Sequence, residues 1–511
     1  MSATSSPAAA MTCWDTVSAT ASCAMTFSNS GFLVTVPNQT SCTNVTATIE
    51  AVQSAGPGRC VPAYQNVTRA VNLYTSYANP ANGTMAVTVS TGAVSTAAPG
   101  TVHNLAFDAN GTATMSLSYP DAGQLTLTAS GTAPTGAAMA GNGTFVVAPA
   151  AFTFSAIPAA PLTAGQTFNA TVTAMNACAA ATPNFNSAVA ITSSNPLPAL
   201  GNAMPINATA AVFAGGASNM NLIWNEVGTI NLNASMSSYL GWTLPAPATG
   251  MQANVGRFHP AYFDTVVTPA CGTFSYAGTT APVKAGQPFT VTATAHATGG
   301  SVTQNYAGTA NAYATTLSNA GVTTGFAANT IPAAGFAGGV GMANGVSYAM
   351  PIPETAPVTL TLRATDADTV SSSGHAEGTM EIRSGRARLS NVYGSELLDM
   401  AVPFSAEYYV AGQGWQTNGA DSCTVVTLPA LVLQPGGTAV NRTLNSPLLN
   451  GAGGLVLLKP SVAGTVDMVA TVPVWLQFDW VGAGVSNPAA RAIFGVYSGH
   501  NSFIYRGRRG R

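Results

Sequence analysis

Few side chains in this sequence could do chemistry. Its 511 residues hold 15 Lys and Arg, 17 Asp and Glu, 5 His and 7 Cys, and charged residues make up 6%, against ~25% in an average soluble domain. Glycoside hydrolysis needs two carboxyl groups about 5–9 Å apart across a cleft. Glu396, Asp399, Glu407 and Asp479 are the acids near an aromatic C-terminal stretch, and nothing in their spacing selects a pair. Asp479, between Phe478 and Trp480, is read instead as an ion-pair partner of Arg491 supporting the fold. Asp366-Ala367-Asp368, at a strand end, could supply oxygen ligands to a calcium ion between sandwiches. Two carboxylates fall short of the six to eight ligands calcium takes, and a polar loop explains Asp366 and Asp368 equally well. His103, His259, His296, His375 and His500 are scattered, and no C-x-x-C occurs, so the sequence carries no zinc signature. No G-x-S-x-G elbow is present, and the FAGGVG of residues 336–341 has no following Lys to make a phosphate loop. The expectation is a protein that is not an enzyme and holds no cofactor.

Disulfide chemistry suits the cysteines better. Cys13 and Cys23 flank one short loop and Cys42 and Cys60 another, as expected in an oxidising compartment. Four cysteines allow three connectivities, and the sequential pairing, Cys13 with Cys23 and Cys42 with Cys60, is the expectation. Cys178, Cys271 and Cys423 leave an odd count, with Cys178 read as a buried free thiol.

The elements that must position these groups are strands. Between Asp121 and Glu226 no acidic or basic residue occurs, which excludes coiled coils and salt-bridged helices there. Short β-prone runs such as FLVTV, VTATIEAV, TMSLSY and LTLTAS recur between turn signals, with Asn-Gly at Asn82, Asn110 and Asn142. A repeat with a period near 120 residues follows. Ala164-Gly165-Gln166-Thr167-Phe168 returns as Ala285-Gly286-Gln287-Pro288-Phe289, and Pro183-Asn184-Phe185 as Gln304-Asn305-Tyr306. These patterns predict an all-β chain of tandem immunoglobulin-like antiparallel β-sandwiches. The expected division is a low-complexity arm at 1–24, a sandwich with disulfides at 25–150, immunoglobulin-like sandwiches at 151–264 and 265–384, and a distinct aromatic-rich C-terminal sandwich at 385–511. Ser384-Gly385-Arg386 is the expected link to that last module. Within it, Trp475 to Trp480 is predicted as a strand with Leu476, Phe478 and Trp480 on one face. Ile493, Val496 and Tyr497 should close a hairpin with Phe503, Ile504 and Tyr505.

The wording of two blocks carries a resemblance. One runs RARLSNVYGSELLDMAVPFSAEYYVAGQGW, then Asp421-Ser422-Cys423, VWLQFDW and ARAIFGVYSGHNSFIYR. The other runs VGRFHPAYF from Val255, TPACGTFSY from Thr268, Gly286-Gln287-Pro288-Phe289 and Thr303-Gln304-Asn305-Tyr306-Ala307-Gly308. Together they resemble the MshQ-like proteins, bacterial envelope proteins associated with the mannose-sensitive haemagglutinin class of type IV pili, whose C-terminal domain is of unknown function. The resemblance brings no catalytic residues. It implies a role in pilus biogenesis or pilus-linked adhesion, and it singles out Cys271 with Cys423 as a disulfide tying the last two modules, since both lie in the matching blocks.

Aromatic residues gather in the final module, where most are expected in the core and Trp415 and Trp480 are the candidates for a binding rim. Pilus subunits or a cell-surface glycan or protein are the expected partners. A net charge of −2 gives no electrostatic footprint for nucleic acid, and the basic tail, Arg506, Arg508, Arg509 and Arg511, is too short to change that. No run of 18 apolar residues exists, so no transmembrane helix is expected. MSATSSPAAA has neither the basic nor the apolar region of a signal peptide, and the expectation is an extracytoplasmic fragment of a longer protein. Two other readings stay open: a carbohydrate-binding or glycan-hydrolysing envelope protein, and a structural surface-layer or appendage subunit.

Overall fold

The computed structural model describes residues 29–495 apart from 56–58, 84, 200, 203–204, 209–210 and 434–436, with the backbone of two short strands, Trp14–Asp15 and Thr20–Ala21. Cys13, Cys23 and the hairpin expected after Phe494 lie outside these residues.

Alternation of side chains builds the all-β architecture directly. In Gly123–Thr132, Leu125, Leu127 and Ala129 are buried while the Thr residues between them face outward. Four hydrophobic cores follow one another along the chain, and we number the modules by them. The first lies between two sheets. One sheet has the order Thr101–Phe107, Val67–Asn79, Gly123–Thr132, Ala138–Ala148, Gln39–Thr40; the other is built on Ser30–Thr35, Val45–Ser54 and Thr112–Ser118. The second core is enclosed by one hydrogen-bonded path: Ala190–Leu197, Gly228–Tyr239, Trp242–His259, Ala151–Ser155, Thr167–Met175, Ala217–Ile223. The repeated sequence forms equivalent strands in successive modules, Thr167–Met175 and Phe289–His296.

The third and fourth modules share strands. Gly378–Leu389 pairs with Val358–Thr365 through its first half and with Phe404–Val410 through its second. The expected link at Ser384-Gly385-Arg386 is therefore the interior of a strand and not a linker. Small residues permit the crossover: Ser384 is buried, and a Cβ on Gly385 would stand 2.3 Å from the Tyr276 ring. Phe274–Thr280 also serves both, with Phe274 and Tyr276 in the fourth core and Ala277 in the third.

Trp475 to Trp480 departs from expectation. Pro473, which has no N–H to give a ladder, starts a 3-10 turn at Val474–Leu476, and Phe478 then makes a single bridge to Ser486. Leu476 enters the core, and Trp480 sits in the loop beyond.

Candidate functional site: module joints and an arginine-centred aromatic cluster

At the first joint, the chain turns into Gly123–Thr132 through Tyr119-Pro120-Asp121-Ala122. Asp121 is fully buried; its Oδ1 accepts the Ala122 N–H at 2.7 Å and, from the next module, the Asn184 N–H at 3.0 Å. The Asn184 side-chain amide donates to the Tyr119 hydroxyl at 3.1 Å, and that of Asn176 to the Pro120 carbonyl at 2.8 Å. Burial pushes the Asp121 carboxyl up, and the two N–H donors oppose the shift. Cys42 and Cys178 close the joint as a disulfide with Cα atoms 5.9 Å apart.

This corrects two cysteine expectations. Cys60 is an exposed free thiol on the short Cys60–Pro62 strand, laddered to the end of Val45–Ser54. Cys42 is drawn elsewhere: its N–H bonds the Tyr119 carbonyl, and the neighbouring Ser41 carbonyl accepts from Ala177. Cys178 is thus paired across the joint.

The second joint repeats the first with a longer acid. Trp224, Glu226, Gly228, Ile230, Leu232, Ala234 and Ser235 stand in the pattern of Tyr119, Asp121, Gly123, Leu125, Leu127, Ala129 and Ser130. Glu226 is 1% exposed. Its Oε1 accepts the Gln304 N–H at 2.9 Å and the Asn202 amide at 3.1 Å; its Oε2 accepts the Asn305 N–H at 2.9 Å and the Val227 N–H at 3.3 Å. Burial raises this carboxyl too, against the pull of those donors. Glu226→Ala would leave buried N–H groups unpaired, at ~1–3 kcal/mol for each, so a loss of about 2–4 kcal/mol is expected in denaturant unfolding of the full chain. Glu226→Gln keeps one acceptor oxygen but turns an NH2 towards the other pair of donors, so it should fall between the unaltered chain and Glu226→Ala; a loss below about 0.5 kcal/mol in Glu226→Ala would refute the capping role.

Arg257 crosses the same joint. Its guanidinium binds the Asp368 carboxylate in a two-pronged pair at 2.6 and 2.7 Å and lies 5.2 Å from the Tyr313 ring centre. Asp366 accepts the Tyr306 hydroxyl at 2.8 Å and the N–H groups of Asp368 and Val370 at 2.9 and 3.1 Å. Both calcium candidates are thus engaged by the protein's own donors, and an arginine supplies the positive charge at this joint.

Cys271 and Cys423 are bonded at the third joint. Asp421, fully buried, accepts the Tyr276 hydroxyl at 2.8 Å and the Thr424 hydroxyl and N–H at 2.7 and 3.0 Å. Cys271, Asp421 and Cys423 bring their ligand atoms within 4.8 Å of one another, but with the sulfurs joined no thiolate is available to a metal. Lys284, also buried here, donates to the Gly385 carbonyl at 2.8 Å, and burial pushes its ammonium down to about 8. A lowered lysine favours folding most when neutral. Its contribution is present above the ordinary value of 10.5 and lost as pH falls to about 8. Lys284→Met should therefore raise stability at pH 7, by about 1–2 kcal/mol, and flatten the rise between pH 8 and 10. An unchanged pH profile in chemical denaturation would count against the assignment.

The aromatic cluster lies beyond this joint. Arg386 is 4.4 Å from the Trp415 ring centre and 5.2 Å from those of Phe478 and Trp480, while its Nε and Nη2 bind Glu407 Oε2 at 2.8 and 2.7 Å. Trp415 is half-buried and Trp480 is 37% exposed beside Val481, which is 82% exposed. Arg388, half-exposed, reaches Glu407 at 3.7 Å. The structure thus brings Trp415 and Trp480 together around a cation, with Trp480 on the rim. The four acids weighed for hydrolysis do not face one another as a pair, and three of them have separate partners. Glu407 holds Arg386, Asp399 accepts the Lys459 N–H at 2.8 Å, Asp479 accepts the Ala483 N–H at 3.0 Å, and Glu396 lies against Gly495. Arg491 pairs with Asp467, at 2.6 and 2.8 Å, and not with Asp479, because Asp467 stands directly opposite it in the ladder.

Sandwiches joined by buried carboxylates, disulfides and shared strands define a tandem immunoglobulin-like protein. More particularly, the chain carries DUF6701 domains: the first, an Ig-like domain, matches residues 10–142, the third 226–387 and the fourth 383–508 of this family of unknown function. The third and fourth matches overlap within the strand that the two modules share. No curated protein matches the chain. Among solved structures it is similar to the Escherichia coli adhesin FdeC, at 13% identity over 66% of this chain and 96% of that one, with a TM-score of 0.35. Invasin, a bacterial integrin-binding protein, is similar at 12% identity over 91% and 79%, with a TM-score of 0.32. A tetra-tandem repeat from the extending region of a large adhesion protein is similar at 17% over 88% and 95%, with a TM-score of 0.29.

Proposed function

We propose that the chain is a non-enzymatic, extracytoplasmic, adhesin-like stalk that presents its C-terminal module, and that it serves type IV pilus biogenesis of the mannose-sensitive haemagglutinin class or adhesion linked to such a pilus. The observation that carries the stalk is the joints: each of the three is fixed by a buried acid, and each core after the first takes in residues of the module before it, such as Val146 and Ala148 in the second and Ala164 and Val227 in the third. Free hinges would expose those groups to water. Two disulfides support an oxidising location. No helix among the described residues is long and apolar enough to cross a membrane. The presented surface is the Trp480 rim, an exposed aromatic of the type that holds sugars and protein partners. The pilus link rests on the resemblance of the two sequence blocks.

The test passes the full chain over a glycan array and over purified pilus subunits, with Trp480→Ala beside it. Glycan binding lost in a folded Trp480→Ala variant supports adhesion through the rim. Binding to pilus subunits alone supports an assembly role. Silence on both sinks the proposal and favours a purely structural appendage subunit.

A further inference from the structure

The two disulfides among the described residues divide the chain unequally. Cys42–Cys178, with a sequence separation of 136, encloses nearly the whole first module together with the strands Ala151–Ser155, Leu162–Thr163 and Thr167–Met175 of the second. Cys271–Cys423, with a separation of 152, encloses the rest of the third module and the first strands of the fourth, up to Gly414–Thr417. A covalently closed loop cannot lengthen under tension, so load arriving at one cysteine passes through the sulfurs to the other. Residues 179–270, between the loops, have no such bypass.

We propose that the chain is a force-bearing tether whose extensible element is the stretch between Cys178 and Cys271, latched at rest by Arg257 and Glu226. The proposal rests on the stalk reading and adds a mechanical role to it. Both latch residues stand on the extensible stretch, and their partners Asp368, Gln304 and Asn305 stand inside the second closed loop. The stretch cannot leave the third module until the ion pair and the carboxylate hydrogen bonds part. Two ladders add to the hold. Ala217–Ile223 is paired with Thr167–Met175 inside the first loop, and the edge strand Tyr262–Thr268 with Phe289–His296 inside the second. Once released, roughly 90 residues can extend by about 300 Å, while most of the third core, and the first core apart from Phe32, Val34 and Val36, which precede Cys42, stay folded behind their disulfides. The joint with no disulfide is thus the one that yields, and the length gained is capped by covalent bonds.

Single-molecule pulling on the full chain between its termini tests this, on oxidised and reduced protein, with Asp368→Asn beside the unaltered chain. The oxidised chain should show a step of about 300 Å from residues 179–270, a shorter one of about 250 Å from the fourth module after Cys423, and a small one of about 40 Å from the strands Ser30–Thr35 and Gln39–Thr40, which precede Cys42. Reduction should add two steps of about 450–550 Å as the closed loops open. Asp368→Asn should speed the 300 Å step roughly fivefold at constant load and leave its length unchanged. Loop-length steps in oxidised protein would overturn the tether, and an unaltered rate in Asp368→Asn would overturn the latch. Failure to bind glycan or pilus subunits leaves these steps unchanged, so the two proposals fail separately.

Discussion

Removal of the Cys271–Cys423 bond is expected to lower the stability of the full chain by about 5 kcal/mol, the chain-entropy value for closing a loop of this length. The physical reason lies mainly in the unfolded ensemble, which the bond confines across a sequence separation of 152. The native state adds a second reason. Asp421 Oδ1 lies 3.7 and 3.6 Å from the two sulfurs, so replacing them leaves a buried carboxylate beside a new cavity. The measurement is the denaturant midpoint of Cys271→Ala/Cys423→Ala against the unaltered chain, with Cys42→Ala/Cys178→Ala as the parallel case. A loss below about 1 kcal/mol would mean that the shared strands already remove the freedom the bond is credited with removing.

Arg386→Met should cost about 3–5 kcal/mol. Glu407 is 5% exposed and takes its short contacts from Arg386, so the substitution strands a buried carboxylate, the most expensive way to break such a pair. Loss of the cation among Trp415, Phe478 and Trp480 adds about 1 kcal/mol within that range. The double change Arg386→Met/Glu407→Gln removes both charges and should recover more than half of the loss. Tryptophan fluorescence during denaturant unfolding reads both, since the rings report their own cluster. A cost under 1 kcal/mol for the single change would show that Arg388, now 3.7 Å from Glu407, moves in to replace it.

Strand character was legible because alternation is a local property: Leu125, Leu127 and Ala129 declare their faces without reference to anything distant. The repeated Ala-Gly-Gln run was legible for the same reason. What could not be read was pairing across joints. Cys42 and Cys60 are near in sequence, but Cys42 belongs to a joint and Cys60 to an exposed strand, and loop length says nothing about which surface a cysteine meets. The buried acids were visible only in outline. The long charge-free interval excludes coiled coils and salt-bridged helices, yet the two residues that bound it, Asp121 and Glu226, are the joint caps. The signal that would have found them is the repeated order of aromatic, acid and glycine before an alternating strand. Trp475 to Trp480 misled because alternation over six residues also fits a turn followed by a single bridge, and Pro473 was the warning.

The strand Gly378–Leu389 also bears on how such a chain can change over generations. Modules joined by loops can be duplicated, swapped or lost by recombination at the loop, each piece carrying its whole sheet with it. A break at Ser384 would leave the third sheet with a frayed end and deprive Phe404–Val410 of its neighbour. The last two modules are therefore expected to be inherited as a pair, and diversity in this lineage should come from insertion or exchange nearer the start of the chain.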